Sequence, residues 1–270
     1  MNRIAIAGAV AAALTMYSAV QASAADVEVR FYPDQALWSQ PLESQRQIAS
    51  VVVQNTAIVN RSTQPVTVEQ LHFELLSGDA VVESRALSAA TVERLAKGGA
   101  ALGQSGVLDA VDFQFAPQVL FGPEKYTLDA SRTLPPGGAL YVPAQLLAWQ
   151  GQAQRLRVRA VLSGTPEPVV AELPIRSGVA PGVWRFPLAG DWFVGAGATP
   201  HSHHRWAVPE EFALDILRLG ADGQSHRGAG KAMRDYYAYG APVLASASRR
   251  CRSMRVFSRS ARIAASCARA

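Results

Sequence analysis

The chain has 270 residues, 49% of them apolar and 17% charged, a globular composition that excludes a collagenous or mainly disordered protein. No apolar run approaches the roughly 20 residues of a membrane-spanning helix, so no transmembrane anchor is expected. The net charge is +5, but once Arg3 and the seven basic residues of 248–270 are set aside, 18 basic side chains meet 21 acidic ones, a net charge of −3. That balance excludes a basic nucleic-acid-binding body.

Residues 1–24 carry the three ordered parts of a secretory signal peptide. Arg3 supplies the positive start, residues 4–14 an apolar stretch too short to span a bilayer, and Ala22-Ser23-Ala24 a small-residue cleavage site. The mature chain is expected to begin near Ala25 in an exported compartment, periplasmic or extracellular. Both cysteines, Cys251 and Cys267, lie near the end of the sequence, so the body does not depend on disulfides.

Residues 25–177 show short strands separated by turn residues. The Val- and Ile-rich run 48–59 reads as one strand ending at Asn60-Arg61-Ser62. In 66–75, Val66 and Val68 keep one phase while Leu71, Phe73 and Leu75 keep the other, a slip that predicts a bulge. Residues 88–97 read as one short helix, with Ser88 as its cap and Gly98 after its end. Strands are also expected at 139–142 and 169–175. In 155–162, Leu156, Val158, Ala160 and Leu162 alternate with Arg155, Arg157 and Arg159, the pattern of a half-buried antiparallel strand. The expected fold class is mainly β: an N-terminal immunoglobulin-like β-sandwich over 25–177, then an incomplete antiparallel β domain over 178–247. His72 inside a strand reads as packed or solvated. Trp38 and Trp149 suit core or edge packing better than a carbohydrate surface. This half reads as a spacer or a protein-contacting module.

Chemistry gathers in 178–247. His201-Ser202-His203-His204-Arg205-Trp206 is followed by Val208-Pro209-Glu210-Glu211 and a strand-like Phe212-Ala213-Leu214-Asp215-Ile216. A loop imidazole and a nearby carboxylate are ligand types that zinc accepts. Phe212, Leu214 and Ile216 share one face of the expected strand, with Ala213 and Asp215 on the other. A carboxylate on so apolar a strand is costly unless something compensates it, and a cation would. Asp215 could equally pair with Arg205 or Arg218, and a His-rich loop can be no more than polar. Tyr236-Tyr237-Ala238-Tyr239-Gly240-Ala241-Pro242-Val243-Leu244-Ala245 reads as a turn entering another apolar strand.

These same runs, together with His204-Arg205-Trp206 and Asp235, resemble the lysostaphin-type zinc metalloendopeptidases. More narrowly, they resemble exported Gram-negative relatives that carry an N-terminal β-domain. The resemblance covers about residues 183–247. It implies a small antiparallel β domain built around one Zn²⁺, held by an early His and Asp and by the second His of a late His-x-His motif. The first His of that late pair acts as a general base, and peptidoglycan peptides are the substrates. By the resemblance, Asp215 matches the aspartate ligand and His204 the first histidine, with His203 as the alternative to His204. The family commonly places three residues between these ligands, whereas ten intervene here.

After Asp215 the remaining histidine is His226, and no His-x-His follows. A catalytic zinc site takes three protein ligands and a water, so the chain as written is expected to be inactive. The alternative function is a non-catalytic module that binds the cell wall or a wall protein. His226 could replace the missing ligand, but Arg227 and the surrounding glycines suggest a loop. Residues 248–270 contain seven Arg, five Ser, five Ala and two Cys, without Gly, Pro or acid. They could be a cationic arm, an amphipathic helix or out-of-frame translation of a GC-rich gene; the abrupt change in residue usage favours the last.

Overall fold

A computed structural model describes residues 26–43, 47–123, 126–177 and 185–246. The expected signal segment, the first residues after 177 and the Arg-rich 248–270 lie outside these. The described residues are mainly β, with about 40% of them in strands and 19% in helix. In chain order come β1 (Val27–Tyr32), β2 (Leu37–Trp38), β3 (Gln40–Glu43), β4 (Ile48–Val53), β5 (Asn55–Asn60), β6 (Val66–Ser77) and β7 (Ala80–Leu87). Four helices follow: α1 (Ala89–Gln104), α2 (Val107–Ala110), α3 (Asp112–Phe115) and α4 (Pro117–Phe121). The chain returns to strands with β8 (Thr127–Leu128), β9 (Thr133–Leu134), β10 (Gly138–Val142), β11 (Gln145–Gln150), β12 (Arg155–Leu162) and β13 (Val169–Arg176). Beyond these, β14 (Phe193–Ala196) pairs antiparallel with β15 (Asp215–Leu217).

The period-2 runs become strands as expected. β12 is central, antiparallel to β6 on one side and β13 on the other. Leu156, Val158, Ala160 and Leu162 enter the core, where Leu71, Phe73 and Leu75 of β6 meet them. The arginine face of β12 lies against carboxylates: Arg157 Nε donates to Glu74 Oε2 at 2.7 Å and Arg159 Nη1 to Glu74 Oε1 at 3.2 Å. Burial works against the Glu74 carboxylate, but these two guanidiniums outweigh it and hold the group below its ordinary 4.5. The predicted bulge is present. Val161 faces Gln70 and Leu162 faces Val68, so one extra β6 residue turns the later side chains onto the other phase.

The run 48–59 is two strands rather than one. β4 pairs with β3 and β11, whereas β5 pairs with β1 and β10. The chain changes sheets at Gln54, between two segments that are each apolar enough to be covered. β5 and β10 are buried along their whole lengths. Ile58, Leu140 and Val142 face the main core, while Ala57, Val59, Ala139 and Tyr141 meet Leu108, Leu120 and Phe121 of α2 and α4. A helical layer over one sheet was not expected from the sequence beyond the one short helix.

That helix also runs further than residues 88–97. Ser88 stands at its N-cap, but α1 continues through Gly98 and Gly99 to Gln104. Gly99 does not end the helix; it lets the helix approach β10, where an added Cβ would lie 3.2 Å from Tyr141 Cβ. Glycine costs helix stability but permits close backbone packing. Trp149 is buried in the main core, as expected. His72 bonds Gln70 Oε1 at 3.0 Å on an exposed face and joins no site.

Residues 185–246 are built differently. The buried residues among them are His204, Arg205 and Glu211, all polar or charged. The expected five-residue strand shortens to Asp215–Leu217, and Phe212 and Leu214 face solvent. The apolar strand expected after Gly240 is irregular backbone; Leu244 N donates to Pro187 O at 2.7 Å and Arg185 N to Ser246 O at 2.8 Å. Apolar alternation makes a strand only when a second layer covers it, and among the described residues none covers this one.

Candidate metal centre

Ser202 starts the centre. It precedes a 3-10 turn, His203–Trp206, and its Oγ accepts from His204 N at 3.2 Å, an N-cap for the turn. A second 3-10 turn, Val208–Glu210, carries Pro209 in its first positions, where a missing N–H costs nothing. The chain then doubles back so that the Ala213 carbonyl lies 3.1 Å from His204 Nδ1. A carbonyl can only accept, so Nδ1 is the donor and Nε2 is the ring nitrogen left to face the strand opposite. Asp215 Oδ2 lies 3.4 Å from that Nε2, on a strand fixed opposite Ala196.

The two ligands proposed for the early part of the site are therefore brought together, across ten intervening residues. Two ligands about 2.0–2.1 Å from one tetrahedral zinc stand roughly 3.4 Å apart. The ring nitrogen on the far side of His204 is held by a backbone carbonyl, the outer-shell partner that metal-bound histidines use. The donor set fits Zn²⁺. His203 joins the same group: one ligand atom each from His203, His204 and Asp215 lies within 4.8 Å of the others. The sequence offers His203 and His204 as alternatives; the fold places both beside Asp215. Their rings meet edge to face at 4.3 Å, and His203 Nε2 lies 3.7 Å from Glu210 Oε2. His226 is not part of the group; its ring packs against Tyr236 at 5.5 Å.

The expectation of a buried carboxylate needing compensation is corrected. Asp215 is 57% exposed at its side chain, because the strand around it has no covering layer. Nor does Asp215 pair with Arg205 or Arg218. Arg218 lies over the Trp192 ring at 5.8 Å. Arg205 is wholly buried and forms an ion pair with Glu211.

Sequence reasoning missed what Arg205 does. Its Nη2 also donates to the Trp38 carbonyl at 3.2 Å and the Ser50 carbonyl at 3.3 Å, both on strands of the N-terminal half. Burial pushes the Glu211 carboxyl up and the Arg205 guanidinium down, and their mutual attraction offsets part of each shift. Phe212 meets Trp38 edge-on at 6.3 Å, and the Arg176 guanidinium lies over the Trp38 ring at 5.9 Å. The loop between the two candidate ligands is thus pinned to the N-terminal strands by Arg205, next to His204, and by Phe212, next to Ala213. No sequence periodicity signals this, because the groups that bury Arg205 come from 155 and 167 residues away.

No protein-family model, curated protein or solved structure matches the chain.

Proposed function

We propose that the chain is a zinc metalloendopeptidase-like protein of the lysostaphin type, exported to the periplasm or cell surface and directed at peptidoglycan peptides. The observation that carries this reading is the approach of His204 Nε2 to Asp215 Oδ2 at 3.4 Å, with Nδ1 held by a backbone carbonyl. Zinc bound there would polarise a scissile carbonyl and lower the pKa of its water. The chain's own part is to hold the metal: His204 offers an imidazole oriented by the Ala213 carbonyl, and Asp215 a carboxyl oxygen open to solvent. Residues 25–177 serve, in this reading, as an immunoglobulin-like β-sandwich that supports the metal loop; sheets packed face to face over one shared core support it.

Without a late His-x-His the chain lacks the general base, so we propose metal binding without hydrolysis. Calorimetric titration of the purified mature chain with Zn²⁺ is expected to give one site in the wild type and none in His204→Ala or Asp215→Ala. Zinc uptake that ignores both substitutions would sink the proposal. Peptide release from peptidoglycan, abolished by chelator and by Asp215→Ala, would overturn the inactive part alone.

A second reading rests on a separate observation. Phe193, Val194, Leu214 and Leu217, on and beside the β14–β15 ribbon, are exposed, and apolar surface of this kind marks contact sites. The degenerate domain would then bind a wall peptide or wall protein without cutting it. Saturable association with peptidoglycan that persists in chelator favours this reading.

A further inference from the structure

We infer that His203 is a third protein ligand, so that the chain closes a His-His-Asp metal site from one loop and one strand and holds its ion without a late histidine. This rests on the metal reading above and goes beyond it, since the resemblance allots no ligand role to two successive histidines.

The argument starts from the backbone. In a 3-10 turn successive side chains point about 120° apart, and His203 and His204 accordingly diverge, one exposed and one buried. Their rings are nonetheless inclined at 76° with centroids 4.3 Å apart. The buried imidazole is fixed by Ala213, so it sets the position of the ion. The exposed one is free to turn about its two side-chain bonds. Its ligand atom already lies within 4.8 Å of both other donors, so a small rotation brings it to the roughly 3.4 Å separation of tetrahedral zinc ligands. Glu210 Oε2, 3.7 Å from His203 Nε2, stands where an outer-shell carboxylate orients a metal-bound imidazole. Among the described residues no other His, Cys, Asp or Glu joins the three. Two imidazoles, one carboxylate and an open position form a zinc donor set in which the protein supplies three ligands.

The test is Co²⁺ titration of the full mature chain, followed by visible absorption, with Zn²⁺ competition for affinity. His203→Ala is expected to weaken binding at least tenfold, the least that loss of even an outer-shell partner costs, and to shift the Co²⁺ spectrum. His226→Ala is expected to leave both unchanged. His203 is exposed, so its removal leaves the fold intact, checked by circular dichroism. Tight binding abolished by His204→Ala and Asp215→Ala but untouched by His203→Ala would overturn this inference while leaving the metal reading standing. Absence of binding in the wild type would overturn both.

Discussion

Replacing Arg205 with methionine keeps much of the side-chain volume but removes the cation that faces Glu211. Glu211 is 6% exposed, so the variant would bury an unpaired carboxylate. Breaking a buried pair this way costs about 3–5 kcal/mol. Protonation limits the loss. Neutralising a carboxyl whose ordinary pKa is 4.5 costs about 3.4 kcal/mol at pH 7, so the penalty settles near 3 kcal/mol. Residues 185–246 have no buried apolar side chain among those described, so little else opposes their release from the β-domain. About 3 kcal/mol is roughly a 100-fold change in the opening equilibrium.

Native-state hydrogen exchange reads this directly. The amides of Arg205, Ala207, Glu210 and Ala213 are bonded within the loop and are expected to lose about 100-fold in protection, while those of Phe73 and Leu75 in the main core keep theirs. The pH dependence identifies the cause. In the variant the folded-state pKa of Glu211 is raised above its unfolded value, so docking is strongest below about pH 4.5 and is lost as pH rises through the folded pKa. Unchanged loop protection at pH 7, an equal loss in the main core, or a deficit that does not shrink on acidification would each refute the reasoning.

Other outcomes follow from the same packing. Gly98 has nothing within 4 Å of an added Cβ, whereas Gly99 faces Tyr141. Gly98→Ala is expected to stabilise by about 0.5–1 kcal/mol, and Gly99→Leu to destabilise by about 1–3 kcal/mol, both read from denaturant midpoints. Glu74, held below 4.5 by Arg157 and Arg159, contributes stability above that value that is lost as pH falls through its folded pKa. Glu74→Gln should therefore flatten the acid limb of the stability profile; an identical limb would count against the pairing. Phe73→Ala in the wholly buried core of β6 should cost about 3–5 kcal/mol by chemical denaturation.

Much of the β-domain was legible in residue order. The alternation of 155–162 named the buried and charged faces of β12, and the phase slip in 66–75 located the bulge opposite Leu162. Both features are local, because a two-residue period states which face is apolar. The pairing of His204 with Asp215 was legible through resemblance, although ten residues separate them. Other features depended on what lies across the contact. The run 48–59 divides between two sheets because different partners claim its halves, and a helix passes through Gly98 and Gly99 because β10 lies close beneath it. Arg205 is buried by the carbonyls of Trp38 and Ser50, and Phe212 and Leu214 stay in solvent where alternation expected a core. Periodicity records the polarity of a segment; which distant backbone covers it, and whether a charge finds its partner there, is decided only when the layers assemble.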